Sequence, residues 1–271
     1  MKSTTKKIIF RWVKILTLLY ALTGFALYYL QDTFLFHPES ISRNLPWQFD
    51  QPFEETDIVM NETDTINLVK FFPAGTVRRG VVLYFHGNKE NIGRYAKFAP
   101  SFTKHDFEVW MPDYPGFGKS TGNRSEKALY QQAVQLYKMA ASKYGADSII
   151  IYGKSFGTGI ATYLAAVSRA RQLILETPYY SIPELFSCYA PIYPNSRMAK
   201  YKIPTHEYLA EIQYPITIFH GTSDGVIPYR STKKLQQTLK PGDAFITIPG
   251  GTHHNLYEFE MFRQKLASLL Q

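Results

Sequence analysis

Gly153-Lys154-Ser155-Phe156-Gly157 sets a serine between two glycines at G-x-S-x-G spacing. A strand-like run, Ser148-Ile149-Ile150-Ile151-Tyr152, precedes it, and small residues from Gly159 to Ser168 follow as a helix. A serine on a sharp strand-to-helix turn needs neighbours without bulk two residues to either side, which the glycines supply. The helix start beyond it presents free N–H groups and a positive dipole end to a developing oxyanion. Ser155 is therefore the candidate nucleophile for acyl transfer, and the Phe156 N–H is the first candidate oxyanion donor. The second is expected after the apolar run Gly80–Phe85, where His86-Gly87-Asn88 follows. Asn88 is the candidate there, with His86 expected to support the loop by hydrogen bonding.

A serine hydroxyl is a weak nucleophile at its own pKa, so a histidine base and an orienting carboxylate must accompany it. Downstream histidines are His206, His220, His253 and His254. His220 closes the strand-like Ile216–Gly221 and is expected to pack at its tip. Asp224 follows in Gly221-Thr222-Ser223-Asp224, on a loop at the carboxyl edge of a sheet, where ligands gather in open α/β folds. Asp243 is the rival acid, but Pro241-Gly242-Asp243 reads as a turn on the opposite edge. Asp224 is favoured. Pro249-Gly250-Gly251-Thr252-His253-His254 lies between the last strand and the last helix, where a base belongs in the chain order serine, acid, histidine. Two adjacent histidines cannot both face the serine, and their spacing barely separates them.

These residues need a scaffold, and the hydropathy pattern supplies an alternating one. Strands are expected at Thr56–Met60, Thr65–Phe72, Gly80–Gly87, Phe107–Pro112, Ser148–Tyr152, Leu173–Leu175, Ile216–Phe219 and Phe245–Ile248. Helices are expected at Ile92–Lys104, Ser125–Tyr144, Gly159–Ser168, Thr232–Leu239 and Leu256–Leu270. Strand and helix alternating in this way argue an α/β fold, with a doubly wound, mostly parallel sheet. No internal repeat or long linker interrupts it.

The chain has 271 residues, 45% of them hydrophobic and 19% charged, which excludes a disordered or low-complexity protein. Its net charge of +8 is concentrated at the amino terminus, where Lys2, Lys6, Lys7, Arg11 and Lys14 meet no acid before Asp32. The remainder carries 25 basic against 22 acidic residues, leaving no basic stripe for a nucleic acid. From Ile15 to Leu30 there is no charge, and counting back to Trp12 gives a helix of roughly 27 Å, enough for a thin bilayer. An uncleaved signal anchor is favoured over a cleaved signal, because no good A-x-A site precedes the bulky Leu27-Tyr28-Tyr29-Leu30. Basic residues before the span put the tail in the cytoplasm and the main domain on the non-cytoplasmic side. The single cysteine, Cys188, forms no internal disulfide, and no Cys/His cluster has zinc-ligand spacing.

Taken together, His86-Gly87-Asn88, Asp113-Tyr114-Pro115-Gly116-Phe117-Gly118, the Ser155 pentapeptide, Gly221-Thr222-Ser223-Asp224 and the terminal histidine resemble the α/β-hydrolase superfamily. Within it, the chain most resembles the bud-emergence-type, membrane-anchored serine hydrolases, described as lysophospholipase-like or serine-aminopeptidase-like. The likeness covers nearly the whole chain, including Phe34-Leu35-Phe36-His37-Pro38. It implies an anchor over residues 1–31 and an α/β-hydrolase domain over 32–271 with a short lid at 178–213. Aligning Leu256 with the family's Gly-His-Asn-Asp-Leu motif puts His253 on the base, although His254 and Asn255 replace Asn-Asp. Aligning the His-Asn pair instead would select His254. Pro115 and Phe117 also depart from the family's Asp-Tyr-Arg-Gly-Tyr-Gly.

The resemblance implies ester or related acyl-bond hydrolysis on Ser155, His253 and Asp224, with Asn88 and Phe156 as oxyanion donors and no metal or organic cofactor. A small acyl-ester or lipid-like substrate fits the lid, whose Tyr179, Tyr180, Phe186, Tyr189, Tyr193, Tyr201 and Tyr208 give an aromatic rim. An exopeptidase on the same triad and a non-catalytic membrane-tethered binding protein are the alternatives. Acyl length and natural substrate are not encoded in any motif.

Overall fold

Apolar side chains on both faces of each central strand decide the architecture. Val81, Leu83 and Phe85 pack into one core, and Val82 and Tyr84, between them, pack into a second. Such a strand is stable only when helices cover both sides of its sheet. The computed structural model describes residues 2–271; Met1, at the head of the expected basic tail, lies outside the described residues.

The main sheet has eight strands: β1 (Phe53–Val59), β2 (Thr65–Phe71), β3 (Gly80–Phe85), β4 (Phe107–Pro112), β5 (Ile149–Lys154), β6 (Gln172–Glu176), β7 (Ile216–Gly221) and β8 (Ala244–Ile248). Their spatial order is β8-β7-β6-β5-β3-β4-β2-β1. The β1–β2 and β2–β4 pairs are antiparallel and the other neighbours parallel, so the sheet is mostly parallel. The chain runs from β3 outward to β4, then returns to the other side of β3 as β5. That reversal opens a crevice at the carboxyl ends of β3 and β5, the place where such sheets bind ligands.

The helices named below are α1 (Lys2–Tyr29), α2 (Gln31–Leu35), α3 (Glu126–Ala141), α4 (Gly157–Val167), α5 (Ile182–Tyr189), α6 (Thr205–Glu211) and α7 (Glu260–Leu269). Leu129 and Leu136 of α3 and Ile160 and Leu164 of α4 fill the first core; Phe262 and Leu266 of α7 fill the second. Ser125 starts α3 by accepting the Ala128 N–H with its side chain, the usual duty of an N-cap serine.

Several elements depart from expectation. The helix expected over Ile92–Lys104 is broken into Ile92–Tyr95, a 3-10 turn at Ala96–Phe98 and Pro100–Thr103. Pro100 has no N–H to continue the first piece, but it suits the first position of the second. The stretch expected as Thr232–Leu239 begins at Tyr229 and tightens to a 3-10 helix from Lys234, and a 3-10 turn precedes α7. Helix α1 begins well before Trp12, and Thr5–Tyr29 is long and apolar enough to cross a membrane. Beyond α1 the chain forms α2 and a two-residue parallel pairing of His37–Pro38 with Lys89–Glu90, neither of which the apolar pattern announces.

Candidate active site

Ser155 stands where β5 turns into α4, with φ +52°. That left-handed backbone costs a non-glycine residue about 1–3 kcal/mol, so the surroundings must enforce it. They do so by close approach. A Cβ on Gly157 would lie 2.1 Å from the Phe85 carbonyl oxygen, and one on Gly153 would lie 2.6 Å from Thr158 Cα. The Ser155 N–H donates to the Glu176 carbonyl at 2.8 Å, pinning the turn to β6. Gly157→Ala is expected to wedge α4 from the end of β3 and lower unfolding stability by about 1–3 kcal/mol. Denaturant titration of the full chain in detergent reads the change, and an unmoved midpoint would show that the contact carries no strain.

His253 Nε2 lies 2.7 Å from Ser155 Oγ, and its Nδ1 lies 2.8 Å from Asp224 Oδ2. All three residues are buried. His254 is exposed; its ring stands nearly perpendicular to that of His253, with centroids 5.1 Å apart. Asp224 Oδ1 accepts the N–H groups of Val226 and Ile227, each at 2.8 Å, which fixes the carboxylate against its own turn. Burial pushes this carboxyl up, but the bond and charge of His253, with the Ile227 N–H and His220, together hold it below its usual range. It stays ionised.

His220 sits behind Asp224, with Nε2 donating to the Ile227 carbonyl at 2.9 Å and 3.5 Å from Asp224 Oδ2. Burial lowers its pKa, so it is a neutral support of the turn. Asp243 lies at the opposite edge, where it accepts the Ile216 N–H and pairs with Lys240. His206 stacks on Tyr180 within residues 178–213, the stretch expected as a lid.

The chain beyond β3 runs past the serine, since a Cβ on Gly87 would lie 3.5 Å from Ser155 Cβ. Among the described residues, no backbone acceptor takes the N–H of Asn88 or of Phe156. Fully buried His86 holds this loop, with Nε2 3.1 Å from Asp113 Oδ1, while that oxygen also accepts the Ile92 N–H. Burial raises the Asp113 carboxyl despite the histidine.

Sequence reasoning missed a buried ionic group under the nucleophile. Lys154 and Glu176 face each other across β5 and β6, their side chains bond directly, and Tyr152 donates to the same carboxylate. Its only linear signal is a charge at the end of each of two apolar strands. Among the described residues, no group of three or more His, Cys, Asp or Glu is arranged to hold a metal ion.

Comparison with known proteins agrees with the fold. Residues 76–206 match the family described as "Serine aminopeptidase, S33". The alpha/beta hydrolase domain-containing protein 17C of Xenopus tropicalis is 26% identical over 241 residues, covering 85% of this chain and 74% of its own. An esterase of Pyrococcus furiosus superposes with TM-score 0.67 at 14% identity, covering 87% of this chain and 96% of that one. The chain has the α/β-hydrolase fold. A ferulic-acid-bound Est1E from Butyrivibrio proteoclasticus shares the hydrolase's fold too, with TM-score 0.64 at 16% identity over 79% of this chain and 97% of that one.

Proposed function

We propose that this hydrolase cleaves carboxylic esters or related acyl bonds through an acyl-enzyme on Ser155. The observation that carries the reading is the buried hydrogen-bonded line from Ser155 Oγ through His253 to Asp224. In the first step Ser155 Oγ attacks the acyl carbon while His253 Nε2 takes the hydroxyl proton. The Asn88 and Phe156 N–H groups stabilise the oxyanion of the tetrahedral intermediate, and ionised Asp224 stabilises the imidazolium. The intermediate collapses as His253 protonates the departing alcohol, leaving an ester on Ser155. Water, deprotonated by the same imidazole, then attacks that ester, releases the acid and returns the proton to Ser155.

The matched family description favours a second reading, an exopeptidase on the same residues. The cavity beside Asn88 weighs against it, because no carboxylate to capture a substrate amine lines it. A fluorophosphonate probe is expected to label wild type and not Ser155→Ala; an unlabelled wild type would favour a binding protein. p-Nitrophenyl esters should be turned over and aminoacyl anilides should not, and the reverse result would make the chain a peptidase.

The reading includes a membrane anchor in α1, supported by its length and apolar composition. Lys6, Lys7, Arg11 and Lys14 lie before the uncharged run, which by the positive-inside rule orients the domain away from the cytoplasm. A protease outside intact cells should then digest the domain, and its full protection would reverse the orientation.

A further inference from the structure

We propose that the cavity beside Asn88 holds the acyl chain of a membrane-resident ester, with the anchor helix and the lid forming its walls and its bilayer-facing mouth. This rests on the ester-hydrolase reading and names its substrate class.

The cavity has a volume of about 470 Å³, within the range that binds small ligands. One end lies on the catalytic side of the fold: the oxyanion candidate Asn88 lines it, and so do Gly225 and Val226, directly after Asp224. Its other walls are mostly apolar, with Leu185 and Phe186 from α5, Leu27 of α1 and Leu35 of α2, beside the polar Gln31 and Asn195. An ester carbonyl held at Asn88 therefore has an apolar channel into which its acyl chain can lie. The lid closes this channel through Tyr189, whose hydroxyl donates to the Gly225 and Val226 carbonyls at 3.1 and 2.7 Å.

The anchor does not hang free of this cavity. Buried Gln31 donates to the Met198 carbonyl at 2.8 Å and accepts the Lys200 N–H at 2.7 Å, tying the end of the helix to the lid. Further along α1, Tyr20 stacks on Tyr193 of the lid with ring centroids 4.6 Å apart. Each tyrosine hydroxyl donates to a backbone carbonyl across the contact, Tyr20 to Ile192 and Tyr193 to Tyr20. Such internal pairing is what hydrocarbon demands of polar groups.

Depth follows from the helix rise. Tyr20 lies nine residues before the end of α1 at Tyr29, so the contact sits roughly 14 Å along the axis. If α1 spans a hydrocarbon core of about 30 Å, the lid tip beside Tyr20 lies below the headgroups. Ile192, whose carbonyl accepts the Tyr20 hydroxyl, is 69% exposed and then faces lipid rather than water. An acyl chain can pass from the bilayer into the channel without crossing water.

The full chain carrying Ser155→Ala, in phosphatidylcholine nanodiscs, is irradiated with the p-nitrophenyl ester of a palmitic acid bearing a mid-chain diazirine. Adducts are expected on Leu185, Phe186 or Met198, and Ala199→Trp, which fills the cavity, should remove them. On a wild-type background Ala199→Trp should lower the palmitate-to-acetate ratio of kcat/KM at least tenfold. Val226→Trp, at an exposed rim position that tolerates bulk, should lower it in the same direction. Adducts confined to residues 8–23, or a chain-length ratio unchanged in both tryptophan variants, would overturn the proposal. Cavity adducts in a protein whose wild type hydrolyses no ester would keep the acyl site and reject the hydrolase reading.

Discussion

His253→Ala is expected to reduce ester turnover by about four to six powers of ten, and His254→Ala by roughly tenfold or less. The difference comes from direction, since the two side chains leave neighbouring backbone positions. Only His253 reaches Ser155 Oγ, at 2.7 Å, and its other nitrogen is already engaged by Asp224. Without it the serine proton has no acceptor, and the leaving alcohol has no donor. His254 stands exposed, its ring nearly perpendicular to that of His253, so its loss touches loop packing alone. The measurement is kcat/KM on p-nitrophenyl acetate, beside fluorophosphonate labelling to track the nucleophile. A dead His254→Ala enzyme beside an active His253→Ala enzyme would transfer the base to His254.

What could be read from the chain, and what could not, divides by the range of the forces involved. Phe107–Pro112 is a strand in both accounts because a short apolar and aromatic run, interrupted only by Glu108, reads as a buried strand in an alternating fold. The turn at Ser155 was legible because its five residues carry glycine at both ends, although the atom that excludes a side chain from Gly157 is the distant Phe85 carbonyl oxygen. The sheet edges on which their loops fall separate Asp224 from Asp243, and the structure sets the two carboxylates at opposite edges. The choice between His253 and His254 needed an alignment, since nothing local says which of two adjacent rings turns inward. Lys154 and Glu176 were invisible because their partnership exists only once β5 and β6 pair. The clasp of Tyr20 on Tyr193 joins residues 173 positions apart, and no pattern in either segment announces it. Pro100 is a different kind of miss: the breaker stands inside the expected helix, and its missing N–H ends the first piece there.

The strained serine and the buried pairs share one physical logic. Left-handed backbone at Ser155 persists because β6 takes its N–H and the helix beyond cannot back away from β3. A buried charge pair contributes little net stability, yet removing one partner leaves the other uncompensated. Lys154 with Glu176 therefore makes displacement of the β5 end costly, while the close contact of His86 with Asp113 and the Ile92 N–H fix the loop beyond β3. Both ends bear candidate oxyanion donors, whose directions must be fixed before charge develops.

Asp224→Asn is expected to lower kcat by about 10⁴ while leaving the fold intact. The carboxylate accepts the His253 Nδ1–H at one oxygen and two backbone N–H groups at the other. An asparagine amide can keep the backbone bonds through its oxygen, but it then turns an NH₂ toward His253. The imidazole must answer with its lone pair at Nδ1, which moves the proton to Nε2, the atom that should receive the serine proton. The base is lost by tautomer rather than by distance. The imidazolium also loses the negative charge that stabilises it, and this charge is secure in the wild type because Asp224 is held below the usual carboxylate range. The double variant Asp224→Asn/His253→Ala should be no slower than His253→Ala within about threefold, because both changes disable one proton-transfer unit. Asp243→Asn supplies the contrast: it weakens the Ile216 cap and the Lys240 pair, costing about 1–3 kcal/mol of stability, with turnover unchanged. Near-wild-type kcat in Asp224→Asn, or additive losses in the double variant, would remove Asp224 from the unit and leave His253 to act without an orienting acid.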